Sequence, residues 1–114
     1  MILEVAEIDI KAGTASNFEA SMQQAVRLLG QAQGFRSYEL LRSIEVPQRY
    51  RLLVRWDSVE SHTGGFQKSG LFQQWRGLLA GYFEKTPAVE HMEFLVTGGT
   101  DAAGSGLQHG KLDA

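Results

Sequence analysis

The sequence predicts a single α+β domain in which a four-stranded antiparallel sheet carries its helices on one face. Three observations predict this fold class. Segments with strand-like and helix-like apolar spacing follow one another in the order β, α, β, β, then two helical segments, then β. The two middle strands are joined by a short turn containing Pro47, which is typical of a hairpin. The first and last strands are apolar on both alternating faces, as expected of strands covered on both sides.

The first strand is predicted over Ile2 to Ile10, which is rich in β-branched and apolar residues. The first helix is predicted from Ser16 to about Gln31, with Gly34 following as its terminator. Ser16 and Glu19 have the spacing of a capping box. Apolar residues recur there at helical spacing, namely Ala15, Phe18, Met22, Ala25, Val26 and Leu29.

The hairpin strands are predicted over Phe35 to Arg42 and Arg49 to Asp57. The second of them alternates strictly. Its core face carries Tyr50, Leu52, Val54 and Trp56, whereas Arg49, Arg51, Arg55 and Asp57 share the other face with Leu53. The arginines on that face are most simply interpreted as a solvated or dimer-facing row.

Two further helical segments are predicted after the hairpin. Ser58 begins a short helix on which Val59, His62 and Phe66 share one inward face. Ser69 begins the next helix, whose apolar stripe consists of Phe72, Trp75, Leu79, Tyr82 and Phe83. The last strand is predicted over Ala88 to Val96, after Pro87.

This order of elements is the ferredoxin-like split βαβ pattern, which leaves one sheet face without helices. A second copy of the chain is the simplest cover for that face, and we therefore expect a homodimer packed through its sheets, as in a dimeric α/β barrel. Residues 1–96 form the predicted domain. Residues 97–114 are rich in glycine and poor in large apolar side chains, so we expect a flexible C-terminal tail.

Composition excludes several classes of function. The formal net charge is -2, which gives no general attraction to nucleic acid or to anionic membranes. The chain has no cysteine, and no apolar run is long enough to cross a bilayer. The first residues lack a secretion signal, so we expect a cytoplasmic protein. The histidine spacing matches no metal motif, and no glycine-rich phosphate loop links a strand to a helix, so we expect no metal site and no nucleotide site.

An aromatic and histidine cluster remains as the candidate site. Its predicted members are Trp56, Phe66, Phe72, Trp75 and Tyr82, with His62 as the titratable group among them, His91 on the last strand, and Arg55 as a possible anion contact. The aromatic residues could instead be ordinary core. Likewise, His62 could be a buried neutral ring bonded to a backbone carbonyl, and His91 a structural residue.

Four segments of the sequence resemble the antibiotic biosynthesis monooxygenase domain family. They are the opening "ILEVAEIDIKAG", the hairpin end "RYRLLVRW", the stretch "WDSVESHTGGFQKSGLFQQWRGLLAGYF" and the close "PAVEHMEFL". The resemblance covers about residues 2–96. It implies a dimeric ferredoxin-like barrel and, for some members, an oxygenase that uses neither metal nor flavin and oxidises phenols or hydroquinones with O₂. His62 would then be the catalytic base, and the aromatic side chains would hold the substrate ring.

Haem-degrading enzymes of the same family use an asparagine on the first strand and a histidine on the long helix. The corresponding segments here, "VAEID" and "FQQWR", contain neither residue. The function predicted first is therefore a cofactor-independent monooxygenase acting on a small aromatic compound. A non-catalytic dimeric module that binds a small hydrophobic ligand is the alternative, and haem binding or degradation comes third.

Overall fold

The computed structural model describes residues 1–100 and confirms the predicted fold class. The elements are β1 (Ile2–Asp9), α1 (Ala15–Leu29), β2 (Phe35–Arg42), β3 (Arg49–Trp56), α2 (Gly70–Leu79) and β4 (Ala88–Glu93). A π-helix over Ser61–Phe66 precedes α2, and a 3₁₀ turn over Ala80–Tyr82 follows it. The strands form one antiparallel sheet in the order β2-β3-β1-β4. In this described part, no helix is long and apolar enough to cross a membrane.

One face of the sheet, the inner face, carries both helices and the hydrophobic core. The predicted alternation of β3 is confirmed, because Tyr50, Leu52, Val54 and Trp56 are all buried. Helix α1 covers these strands with Phe18, Met22, Ala25, Val26 and Leu29, all buried. The core therefore lies between the inner face and α1.

The opposite face of the sheet, the outer face, carries no helix. Side chains alternate between the two faces along each strand, so the neighbours of the inward-facing residues lie on the outer face. The apolar residues placed there are Leu3, Val5, Leu53 and Met92. Charged residues surround them in pairs, such as Arg51 with Glu7 (2.7 Å) and Arg55 with Glu39 (3.3 Å). The outer face thus combines an apolar centre with paired charges.

Two predicted element boundaries are wrong. The capping box at Ser16 and Glu19 is absent, because α1 begins after Thr14 and the Glu19 carboxylate instead accepts a hydrogen bond from the Tyr50 hydroxyl. The last strand ends at Glu93 rather than Val96. Glu93 pairs with Ile2, the first residue of β1, so the β1–β4 ladder ends at this pair. The predicted tail continues beyond the described part, where residues 101–114 lie.

Gly34 determines how the segment after β3 approaches the sheet. Its φ is +87°, a conformation that favours glycine, and its carbonyl accepts the Asp57 amide hydrogen at 2.8 Å. A Cβ added at this position would collide with the side chain of Ser61. The start of the π-helix therefore rests directly against the backbone of residue 34.

Candidate functional site

The π-helix positions His62. Ser58 precedes it, and its hydroxyl oxygen accepts the Ser61 amide hydrogen at 3.1 Å, as a helix-capping hydroxyl does. The turn is wider than an α-helical turn, because the Gln67 amide donates to the His62 carbonyl five residues earlier (2.8 Å). His62 and Phe66 are both buried on the sheet side. Short π-helical segments occur frequently at functional sites.

A cavity of about 620 Å³ lies between the sheet and α2. Such a volume is in the range that accommodates small organic ligands. Its wall is mainly apolar and aromatic, with four charged or titratable side chains among them. The aromatic lining consists of Phe66, Phe72, Trp75 and Phe83, and the titratable lining of Glu4, His62, Arg76 and Lys85.

Glu4 is one of the residues of this site that sequence reasoning missed. It is 7% exposed, although a carboxylate is rarely buried without partners. Its Oε1 accepts a hydrogen bond from Trp56 Nε1 at 2.9 Å and lies 3.4 Å from His62 Nε2. The alternation of β1 was an available signal, since it places Glu4 on the same face as the buried Ala6 and Ile8.

His62 lies between two titratable side chains. Its Nδ1 is 2.9 Å from His91 Nε2, and its Nε2 faces Glu4. The ring also stacks on Trp56, with centroids 5.4 Å apart and planes 20° apart. Glu4 and His91 are directly opposite each other in the β1–β4 register, which explains why one imidazole reaches both.

Burial shifts the two central pKa values in opposite directions. It raises the pKa of Glu4 to about 7, against the opposing effect of the Trp56 hydrogen bond. Burial lowers the pKa of His62 to about 4, and the neighbouring His91 lowers it further in the same direction. At neutral pH His62 is therefore uncharged, so its contact with Glu4 is not an ion pair at that pH. A neutral imidazole is the form able to accept a proton.

The structure brings together most of the predicted site residues. Phe66, Phe72 and Trp75 line the cavity with His62, and the Phe66 ring makes edge contacts with Phe72 at 5.7 Å and Trp75 at 5.9 Å. Trp56 lies behind His62 and is fully buried, so it supports the imidazole instead of lining the cavity. His91 reaches the site through His62.

Arg55 and Tyr82 lie away from the cavity. Arg55 follows the strand alternation onto the outer face, where it pairs with Glu39 and lies 5.4 Å from the Phe94 ring. Tyr82 turns toward α1, because α2 ends at Leu79 and the chain continues as a 3₁₀ turn. Its hydroxyl lies 3.2 Å from Ser21 Oγ. Neither side chain is placed to contact a ligand in the cavity.

Within residues 1–100, no group of three or more His, Cys, Asp or Glu side chains is arranged to hold a metal ion. Arg76 and Lys85 are the cationic groups that line the cavity. They could contact an anionic oxygen of a ligand, a role for which the predicted Arg55 lies on the wrong face.

Comparison with known proteins identifies the family. The model of the antibiotic biosynthesis monooxygenase family matches residues 1–78. The uncharacterised protein YczJ of Bacillus subtilis is 34% identical over 93 residues, which are 82% of this chain and 98% of that protein. A solved structure from Bordetella bronchiseptica, assigned to the same family, is 40% identical with a TM-score of 0.82, and the match covers 83% of this chain and 97% of that one.

SnoaB, a cofactor-independent oxygenase from Streptomyces nogalater, is a more distant neighbour. Its identity is 16% and its TM-score 0.73, over 84% of this chain and 94% of that one, so the likeness is one of fold. The family model, the 34% identical relative and the 40% identical solved structure agree with one another. The chain therefore belongs to the antibiotic biosynthesis monooxygenase family.

Proposed function

We propose that this protein is a cofactor-independent monooxygenase that oxidises a small phenol or hydroquinone with O₂. The observation that carries the proposal is the position of the neutral, buried His62 beside Glu4 in the wall of an aromatic-lined cavity of about 620 Å³. In this arrangement the flat ring of the substrate lies among Phe66, Phe72 and Trp75, and its hydroxyl group faces the imidazole and the carboxylate.

The reaction requires little from the protein beyond binding and deprotonation. A phenolate is electron-rich and can transfer electrons to O₂ without a protein-bound cofactor. For a phenol with an unsubstituted para carbon, one oxygen atom bonds to that carbon and the other leaves as water, so phenol and O₂ give quinone and water. The substrate supplies all four electrons. A hydroquinone supplies two electrons, and the products are quinone and hydrogen peroxide.

His62 and Glu4 have complementary parts in the deprotonation. His62 is uncharged at neutral pH and is the proposed catalytic base. A proton that it accepts is readily passed to Glu4, because a buried neutral pair is more favourable than a buried ion pair. The cationic side chains of Arg76 and Lys85 line the same cavity and favour the phenolate over the phenol.

Oxygen uptake over a panel of phenols and hydroquinones tests this function. We expect turnover by the wild-type chain and a loss of about a hundredfold or more in His62→Ala, as for removal of a general base. Tyr82→Phe is the matched control, since that hydroxyl faces α1, and its rate should be unchanged. Uptake by His62→Ala equal to that of the wild type would remove His62 as the base.

The same cavity is suited to a ligand-binding module without catalysis, which is the second candidate function. Its apolar lining favours a small hydrophobic ligand irrespective of any reaction. A compound of the panel that raises the melting temperature and is never oxidised would favour this function. A Soret shift with a stable complex on haem titration would instead favour haem binding.

The proposed assembly is a homodimer formed through the outer face. Met92 is 49% exposed and Phe94 is 41% exposed, beside the apolar centre of that face. Burial of these side chains by a second copy would remove apolar surface from water. We expect sedimentation at micromolar concentration to give a dimer, and a substantial shift toward monomer in Met92→Lys. Ile44→Lys, in the hairpin turn, is the control, and a monomeric wild type would contradict the proposal.

A further inference from the structure

We propose that Glu4, His62 and His91 form a proton-transfer chain that joins the cavity to solvent at the partly buried side chain of His91. The inference rests on the proposed function, because phenol oxidation releases a hydroxyl proton in the cavity before the departing oxygen atom takes up protons to form water. The site must therefore hold or exchange a proton between these two steps.

The three side chains form a continuous path. Glu4 lines the cavity, and its Oε1 is 3.4 Å from His62 Nε2. His62 Nδ1 is 2.9 Å from His91 Nε2, and His91 is only partly buried. The first distance is slightly longer than an ordinary hydrogen bond, but catalytic hydrogen bonds often shorten when a ligand binds. One end of the path thus meets the cavity and the other end meets water.

The chemistry of imidazole couples the two ends. A neutral histidine ring carries one N–H donor and one acceptor nitrogen. If Glu4 is ionised, His62 Nε2–H donates to it, and His62 Nδ1 must accept from His91 Nε2–H. If Glu4 is protonated, it donates to His62 Nε2, and His62 Nδ1–H donates to His91 Nε2. The charge of Glu4 therefore determines the tautomers of both rings.

Conversion between these arrangements moves one proton along the path. The Glu4 proton passes to His62 Nε2 as the His62 Nδ1 proton passes to His91 Nε2, and His91 releases its Nδ1 proton to water. Glu4 is then ionised again, so the Glu4–His62 pair can take up the proton of the next substrate hydroxyl. Movement in the opposite direction returns a proton to the cavity. No electron is transferred in either direction.

Both uncharged and charged side chains lie around this path. Trp56 on β3 donates to Glu4 and carries no charge. The other charged groups near the path come from several elements: Arg76 on α2 and Lys85 after the 3₁₀ turn line the same cavity, Glu60 precedes the π-helix, and Glu93 lies on the same face of β4 as His91.

The tautomers provide the first test, and it does not require turnover. Nitrogen-15 NMR of histidine-labelled full-length protein between pH 5 and 9 should show the His62 tautomer changing near pH 7, where Glu4 titrates. In Glu4→Gln that change should disappear. A single His62 tautomer in the wild type across this range would overturn the proposal.

Steady-state oxygen uptake provides the second test. His91→Phe should lower kcat by about tenfold or more with little change in KM, and added imidazole should restore part of the rate. Glu90→Gln, on the same strand but on the outer face, is the control and should retain the wild-type rate. Retention of the wild-type kcat and pH profile by His91→Phe would overturn the proposal while leaving the oxygenase function intact. If the wild type consumes no oxygen, the oxygenase function fails, and the tautomer measurement alone decides whether the path exists.

Discussion

The two halves of the layer between sheet and helices differ in how tightly they are filled. Under α1, five helical residues are buried, and Phe18 contacts the Tyr50 ring with centroids 4.9 Å apart. Under α2, Leu79 is the buried helical residue, and Phe72 and Trp75 border the cavity instead. Helix α1 therefore builds the core, whereas α2 encloses space. The half under α1 supplies most of the buried helical side chains, and the half under α2 contains the cavity.

Truncation of one large aromatic residue in each half should give the largest difference in the free energy of unfolding. Phe18→Ala should lower the free energy of unfolding by about 3–5 kcal/mol, because it leaves a cavity in a filled region. Phe72→Ala should cost less than about 2 kcal/mol, because Phe72 is partly exposed and already borders a cavity. Urea denaturation measures both. Equal losses would show that the two halves are packed alike.

The cavity half contains a buried titratable pair, Glu4 and His62, whose contributions to the free energy of unfolding depend on pH. Between pH 4.5 and about 7 the folded chain keeps the Glu4 proton that the unfolded chain releases, so stability falls as pH rises. Between about pH 4 and 6.5 the unfolded chain binds a His62 proton that the folded chain lacks, so stability rises with pH. These opposing slopes should leave the contribution of this pair nearly constant between pH 4.5 and 6.5.

Each single variant should reveal the slope of the remaining partner. In Glu4→Gln the stability should rise with pH, and in His62→Gln it should fall, by up to about 3 kcal/mol in each case. Denaturant titrations at a series of pH values, with the wild type as the reference, measure both slopes. Parallel pH profiles in the two variants would mean that the two groups are not buried as the structure has them.

Enlargement of a small residue in each half gives the smallest of these effects. Ala25→Leu should cost about 1–3 kcal/mol, since Ala25 is fully buried in the filled half. Ala6→Leu should cost less than about 1 kcal/mol, because Ala6 lines the cavity and the added atoms can occupy it. The same change should weaken the melting-temperature shift produced by a ligand. A penalty for Ala6→Leu as large as that for Ala25→Leu would contradict an open cavity.

The fold was accessible from sequence because each element carries its own local pattern. The alternation of Tyr50, Leu52, Val54 and Trp56 identified β3 and its core face, and the order of elements along the chain identified the fold class. The termini of the elements were less accessible. The end of β4 depends on where β1 begins, which is a property of pairing between distant segments.

The cavity was not predictable from periodicity. Both α1 and α2 carry apolar stripes with helical spacing, yet one stripe fills the core and the other borders a cavity. The difference depends on how each helix packs against the sheet, which is a property of the tertiary structure and not of local sequence. His62 was identified because a polar ring on an apolar face is unusual. Glu4 required the same reasoning on β1, where its carboxylate occupies a core-facing position.

The close approach of Gly34 to Ser61 links the position of His62 to a turn outside the cavity lining. A side chain at residue 34 would displace Ser61 and the adjacent His62. The His62 imidazole would then move away from Glu4 and His91. Under the proposed function, such a variant would imitate a knockout of His62 while the cavity lining remained chemically intact. Genetic screens for inactive variants would therefore recover this glycine beside the true contact residues, and only a structural readout would separate the two groups.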